Sequence, residues 1–372
     1  MKHLLVAVFL SLSAGLAQAD LVYVGSQGNQ LHALRFDQDS GKLSTIGVVA
    51  EGLRPTWTVA HPRLPLLYAV DDDSARSGTV TAFLVDRASG KLRKLNQAPT
   101  GGNGATYLWL DAPSRTLLAA NFASGSVSSL ALHPDGSLAA LASTIQASGS
   151  GPHRRQASPH AHSAAVDPSG RYALVPDLGA DRVFIYALDR ATHTLSTPLS
   201  PAGASQAYIA PPGSGPRHLV FSHDGRFVWL LNELTAEVAT LRWDPQQGQL
   251  TPVQTQSTSS SAFTGTRSGA EILLSPDGRF VYVEDRGERT LVAYRVNADT
   301  GALDLIQRIA SGGEVPWGMA IHASGRWLLV AHQRSNSVNV FHIDPATGLL
   351  ASTGESATVQ GAVSITFVAE RP

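Results

Sequence analysis

Apolar and polar positions along this chain fall into short runs rather than long stripes. Arg217 to Phe221, Phe227 to Leu231, Val238 to Trp243 and Leu250 to Gln254 form one such set. Each run is brief and bounded by turn residues, so the set reads as four successive strands. No sustained helical period interrupts the pattern, which sets an α-solenoid aside.

Two turn signatures punctuate the runs. The first is an Asp or Pro-Asp turn that leads, usually through Gly, to Leu: Asp37 to Leu43, Asp86 to Leu92, Pro134 to Leu138, Asp189 to Leu195, Asp244 to Leu250, Asp299 to Leu303 and Asp344 to Leu350. In the fourth of these His193 stands where the glycine would be. The seven closing leucines are 46 to 57 residues apart, close to the period of propeller blades. The second signature, a Pro/Asp/Gly turn followed by Arg and an apolar strand, ends at Arg63, Arg115, Arg171, Arg226, Arg279 and Arg326, six times only. Four strands per repeat and seven repeats predict an all-β, seven-bladed propeller. The missing seventh arginine turn is then where the ring closes. Val363 to Val368 becomes the innermost strand of the last blade, and Leu21 to Gly25, Leu31 to Phe36 and Leu43 to Val49 its other three. Pairing strands from both ends removes open sheet edges. The Gly- and Ser-rich stretches 148–151, 213–215 and 257–261 fall between blades and read as long connections within one domain, 20–372.

The N-terminus changes the picture of where the protein works. Lys2 and His3 precede an apolar run, Leu4 to Leu16, and then Ala17-Gln18-Ala19 before Asp20. This is the form of a cleavable signal peptide, residues 1–19, and predicts a periplasmic or secreted protein. With no cysteine, stability must come from burial alone. A net charge of −1, 15% charged residues and no basic run argue against nucleic acid and membrane surfaces as partners. A small-molecule ligand fits better, and the oligomeric state is not legible.

Connections in a blade alternate between faces, so the counted turns share one face. The starts of the innermost strands and the ends of the second strands share the other, around the channel mouth. Those positions hold His160 and His162 in blade three, Arg217, His218 and Glu233 in blade four, and Arg286 in blade five. Arginines can hold a carboxylate or a developing oxyanion, and His or Glu can move the proton of an attacking water. Strand alternation turns Arg217 and His218 to opposite sides, which predicts Arg217 in the channel and His218 behind it. His160 and His162 share a face by the same rule. With Glu233 they would make up a metal set, while Glu233 could equally serve to neutralise the arginines. The six periodic arginines belong to the scaffold. Asp71 to Asp73 read as a solvated acidic loop, Gly101 to Gly104 lack the helix of a phosphate loop, and no G-x-S-x-G elbow is present.

The stretches Arg155-Gln156, Pro159-His160-Ala161-His162-Ser163, Gly213-Ser214-Gly215-Pro216-Arg217-His218, Asn232-Glu233-Leu234, Ala270-Glu271-Ile272, Ser275-Pro276-Asp277-Gly278 and Asp285-Arg286-Gly287 resemble the propeller lactonases, a family that includes bacterial 6-phosphogluconolactonases and fungal carboxymuconate cyclases. The resemblance spans essentially the whole chain after residue 19. It implies a seven-bladed propeller acting on lactones, with no cofactor and no established metal requirement. His162, Arg217, Glu233 and Arg286 match the family's site positions and are the implied catalytic residues. The chain departs from the family elsewhere. Pro316-Trp317-Gly318-Met319 stands where Pro-Arg-Asn-Phe is usual, Ala105-Thr106-Tyr107 where Pro-Cys-His is common, and Leu273 where a His often follows Glu-Ile. This predicts a less cationic mouth in which Trp317 and Tyr107, with Trp57 and His160, meet the substrate.

The reading that follows is a lactone hydrolase of carbohydrate metabolism, a carboxylic-ester hydrolase opening an aldonolactone. Gluconolactone is the expected type, because an exported enzyme meets unphosphorylated sugar lactones. Either His162 or Glu233 would activate water. The alternatives are a 6-phosphogluconolactonase, a carboxymuconate-type lactonising enzyme, and a propeller that binds a ligand or partner without catalysis.

Overall fold

The computed structural model describes residues 19–198 and 206–368, and the apolar runs are strands in it. The expected signal segment lies outside the described residues except for Ala19, where the first strand begins. Listed from the innermost strand outward, blade one is Thr58–Ala60, Leu66–Asp71, Ser77–Val85 and Leu92–Asn103. Blade two is Ala105–Asp111, Thr116–Asn121, Ser126–Leu132 and Leu138–Gln146. Blade three is Ala165–Val166, Tyr172–Asp177 and Arg182–Asp189, with Thr194–Ser196 and Ala207–Ile209 both paired to its third strand. Blade four is Pro216–Phe221, Phe227–Asn232, Glu237–Asp244 and Gln249–Ser257. Blade five is Gly269–Leu274, Phe280–Asp285, Thr290–Val296 and Leu303–Ala310. Blade six is Pro316–Ile321, Trp327–His332, Ser337–Ile343 and Leu350–Thr358.

Blade seven closes the ring as the turn count requires. Ala362–Val368 is its innermost strand and pairs antiparallel with Ala19–Ser26, followed by Gln30–Asp37 and Leu43–Glu51. Leu21 faces Val368 and Val24 faces Ile365 across the closure.

The core is not one mass but a layer of apolar side chains at each of the seven blade joints. Alternation sends neighbouring residues of one strand to opposite joints. Trp229 of blade four meets Val281 and Val283 of blade five, while Tyr282 of blade five meets Val330 of blade six. Each such side chain, fully buried, contributes about 1.5–3 kcal/mol.

Polar clasps add register to these layers. Trp229 Nε1 donates to Gly301 O at 2.9 Å and the Tyr282 hydroxyl donates to Gly348 O at 3.0 Å, each reaching the Asp-to-Leu turn of the following blade. Gly301 has φ +71°, and a Cβ there would lie 2.4 Å from the Phe227 ring, so only glycine fits. His193 is the exception that explains the rule. It has φ 60°, and the side chain facing it from blade two is the small Thr116, whose hydroxyl lies 2.9 Å from His193 Nδ1.

Candidate active site

A recurrent irregularity shapes the channel mouth. Register shifts interrupt the innermost strands of blades two, four, five and six, between Ala105 and Tyr107, Pro216 and His218, Gly269 and Ile272, and Pro316 and Gly318. Each shift sets extra residues outside the ladder, and such bulges re-aim side chains. Thr106, Arg217 and Trp317, the extra residues of blades two, four and six, all line one cavity. Its volume is about 230 Å³, and its walls also include Arg54, Asp72, Phe122, Arg155, His162, Glu233 and Arg286.

Glu233 is the hub. It follows the second strand of blade four, and its backbone is tied into the approach loops of two blades. Its N–H donates to Gly215 O at 2.7 Å, and its carbonyl accepts from Gly269 N at 2.9 Å. The carboxylate meets Arg217 Nε at 3.1 Å, Arg286 Nη2 at 3.1 Å and His162 Nε2 at 3.6 Å, and it also accepts from Arg155. The four sequence-predicted catalytic residues therefore converge, although 124 positions separate His162 from Arg286. Ser268 Oγ steadies Arg286 by accepting from its Nε at 3.1 Å, and the guanidinium lies 4.6 Å over the Trp317 ring. Arg217 also donates to Ala270 O.

Arg155 and Arg54 are wall residues that sequence reasoning passed over. Gln156 Nε2 donates to Asp181 at 2.6 Å, and the same carboxylate accepts from Gly213 N and Gly215 N, so Asp181 pins the Arg155 loop beside the Arg217 approach. With four guanidiniums facing the carboxylates of Glu233 and Asp72, the mouth is more cationic than the substitution of Trp317 for an arginine suggested. The signal for Arg155 was at hand, since it begins the block of family-like stretches.

The protonation states follow from this crowding. Burial pushes the Glu233 carboxyl up, but Arg286, the His162 hydrogen bond and Arg217 outweigh it and hold the group well below the usual range. Burial, reinforced by Arg217, depresses His162 to about 3, so the imidazole is neutral in ordinary buffers.

One expectation holds for a different reason and two fall differently. His218 is buried behind Arg217 and off the cavity wall, as expected, yet it is not turned away from Arg217. Because the bulge breaks alternation, its ring nitrogens lie 3.3 and 3.4 Å from Arg217 Nη1, and the ring sits among Trp57, Tyr107 and His162. Tyr107 is absent from the cavity wall, where its bulged neighbour Thr106 stands, and it stacks instead on Trp57 at 4.3 Å. His160 lies flat on Phe122 at 4.6 Å with Nδ1 at 2.9 Å from the Phe122 carbonyl, away from the wall that His162 lines.

A second pair of acids lies against Arg217. Glu271 Oε1 is 2.8 Å from His218 Nδ1, whereas its Oε2 and both oxygens of Glu284 are buried without partners. Burial raises Glu271 to about 7 and Glu284 well above the ordinary carboxyl range. Glu284 is thus a neutral acid in the fold, in contrast to the anionic Glu233. No cluster of three or more His, Cys, Asp or Glu side chains suited to a metal ion occurs among the described residues.

Residues 21–367 match the family described as lactonase, 7-bladed beta-propeller. The chain is 29% identical over 344 residues to the 6-phosphogluconolactonase of Bacillus subtilis, covering 92% of this chain and 95% of that one. It is 30% identical over 350 residues to the 6-phosphogluconolactonase of Sodalis glossinidius, with 94% and 99% covered. The solved structure of the periplasmic gluconolactonase of Pseudomonas aeruginosa superimposes with a TM-score of 0.87 at 33% identity, covering 94% of this chain and 99% of that chain.

Proposed function

The chain belongs to the lactonase family of seven-bladed β-propellers, and from that premise we propose an exported hydrolase that opens an aldonolactone, gluconolactone in type, at the cavity around Glu233. One observation carries the reading: a single carboxylate gathers three guanidiniums and a neutral histidine on the wall of one small cavity. A volume of about 230 Å³ equals that of about eight waters, room for a single sugar ring.

In the scheme the lactone carbonyl oxygen faces Arg217 and Arg286. Glu233 is committed to three arginines, whereas His162 is uncharged and lines the same cavity, so His162 is the base. It takes a proton from water as the water oxygen bonds to the carbonyl carbon. The resulting imidazolium lies beside Glu233, while the guanidiniums meet the oxyanion, a kind of stabilisation that typically supplies about 3–4 kcal/mol per donor. Collapse breaks the bond from the acyl carbon to the ring oxygen. His162 returns its proton to that oxygen, and the product is the open-chain hydroxy acid.

Two cavity arginines beyond the catalytic pair, Arg54 and Arg155, favour a second reading in which the sugar carries a phosphate. Arg54 Nε is buried without a partner. Ring opening of gluconolactone, 6-phosphogluconolactone and muconolactone, measured above the spontaneous rate, decides between them. We expect gluconolactone to lead and muconolactone to trail by more than about tenfold. Turnover should be level between about pH 5 and 8, lacking the limb near pH 6.5 of an ordinary histidine. A lead for 6-phosphogluconolactone installs the second reading, and no acceleration with any lactone overturns both.

A further inference from the structure

We infer that the face opposite the active site carries an anion-binding groove, formed where blades one, two and three meet and selective for a multiply charged oxyanion such as phosphate or diphosphate. Six arginines end the second turn signature. Four of them do the same job. Arg171, Arg226, Arg279 and Arg326 each reach across a joint and donate through Nη2 to a backbone carbonyl in the turn of the following blade, that of Pro245, Ala298, Pro345 and Gln38 respectively. Each ties two blades together, and Arg226 and Arg279 are also paired with Asp224 and Asp277 of their own turns.

Arg63 and Arg115 break the pattern. Neither side chain makes a hydrogen bond or ion pair with any described residue, and both are exposed. For Arg115 the reason is visible at the joint of blades two and three, where the tie runs backwards. Arg190 of blade three holds Asp111 of blade two bidentately, at 2.8 and 3.0 Å. Arg190 occupies the turn position at which Pro245 and Pro345 offer their carbonyls in later blades, and Arg115 has no such tie. Arg115 also has φ 56°, an uncommon backbone state for a side chain of this size.

The two freed guanidiniums do not disperse. Arg63, Arg115, Arg190 and His193 line one open groove of about 590 Å³, together with Ser114 and a short stretch of backbone. No acidic residue lines it, and Asp111 is already matched by Arg190. A lone exposed guanidinium binds anions weakly because water and salt screen it. Two unmatched ones on the same groove as a third, with an imidazole beside them, can offer donors to several oxygens at once, which is how arginine binds phosphate.

The test is calorimetric titration of the whole protein with inorganic diphosphate and phosphate at about 0.15 M salt. Saturable binding, tighter for diphosphate, is expected for the wild type. The double variant R63Q/R115Q should weaken it by at least about tenfold, with melting temperature and lactone turnover unchanged. The matched pair R226Q/R279Q removes equal charge from the same face and should keep wild-type affinity. Absence of saturable binding by the wild type, equal binding by R63Q/R115Q, or an equal loss in R226Q/R279Q would each overturn the proposal. Because turnover is read separately, failure here is distinguishable from failure of the lactonase reading.

Discussion

The two faces of the ring are built on opposite principles. On the turn face the same contact is repeated: Asp37, Asp86, Asp189, Asp244 and Asp344 each accept two backbone N–H groups of their own turn through Oδ1. Arginines and aromatic donors then bind the next blade. At the mouth the backbone bulges recur, but the side chains they present do not. Glu233 has its partners at Arg155, His162, Arg217 and Arg286, and among the described residues no other blade has an equivalent hub. Periodic polar residues here hold the blades in register, and aperiodic ones gather charge. Where the turn face departs from this repeat, at the reversed tie of Arg190, unmatched charge also collects.

If the turn face is scaffold, altering one repeated joint should cost stability and leave chemistry intact. Gly301→Val, which forces a side chain onto Phe227 at a left-handed backbone position, is expected to destabilise by about 3 kcal/mol, with kcat/KM unaltered in the folded fraction. His193→Gly, at the joint where Thr116 leaves room, should stay within about 1 kcal/mol. Urea unfolding of both variants checks this pair, and a neutral Gly301→Val would dissolve the joint account.

A smaller effect sharpens the contrast between the two buried acids. Glu284 keeps its proton in the fold at pH values where the unfolded chain, with the ordinary value of 4.5, has released it. Its raised value therefore lowers stability as pH climbs above about 4.5. Glu271, raised to about 7, adds to the same fall. Glu284→Gln should raise the melting temperature by a few degrees at pH 8 and leave it unchanged at pH 4. Parallel pH profiles for variant and wild type would show that Glu284 is not the neutral acid described.

Much of this was legible in the sequence because propellers repeat. Seven leucine-closing turns against six arginine turns located the ring closure to the strand, and His162, Arg217, Glu233 and Arg286 stood out against that periodicity. The remainder depended on what a repeat count does not register. The bulges after Ala105, Pro216 and Pro316 each displace the register by one residue, so Thr106 rather than Tyr107 reaches the cavity, His218 sits beside Arg217 and Trp317 joins the wall. A proline at the first position of a strand, unable to donate to the ladder, was the available hint. Arg54 and Arg155 lie on loops without period, and their contribution appears only once Asp181 and Asp71 are seen to anchor those loops. Glu284 drew no expectation from the sequence, since nothing local reveals that no partner reaches it.

The most direct measurement is kcat/KM for gluconolactone opening by Glu233→Gln, with folding followed by circular dichroism. This substitution keeps the shape and removes the charge that positions three arginines and stabilises the His162 imidazolium. We expect a fall of at least about 10²-fold in a protein that remains folded. A folded Glu233→Gln protein with wild-type kcat/KM would contradict the claim that this hub is where the lactone is opened.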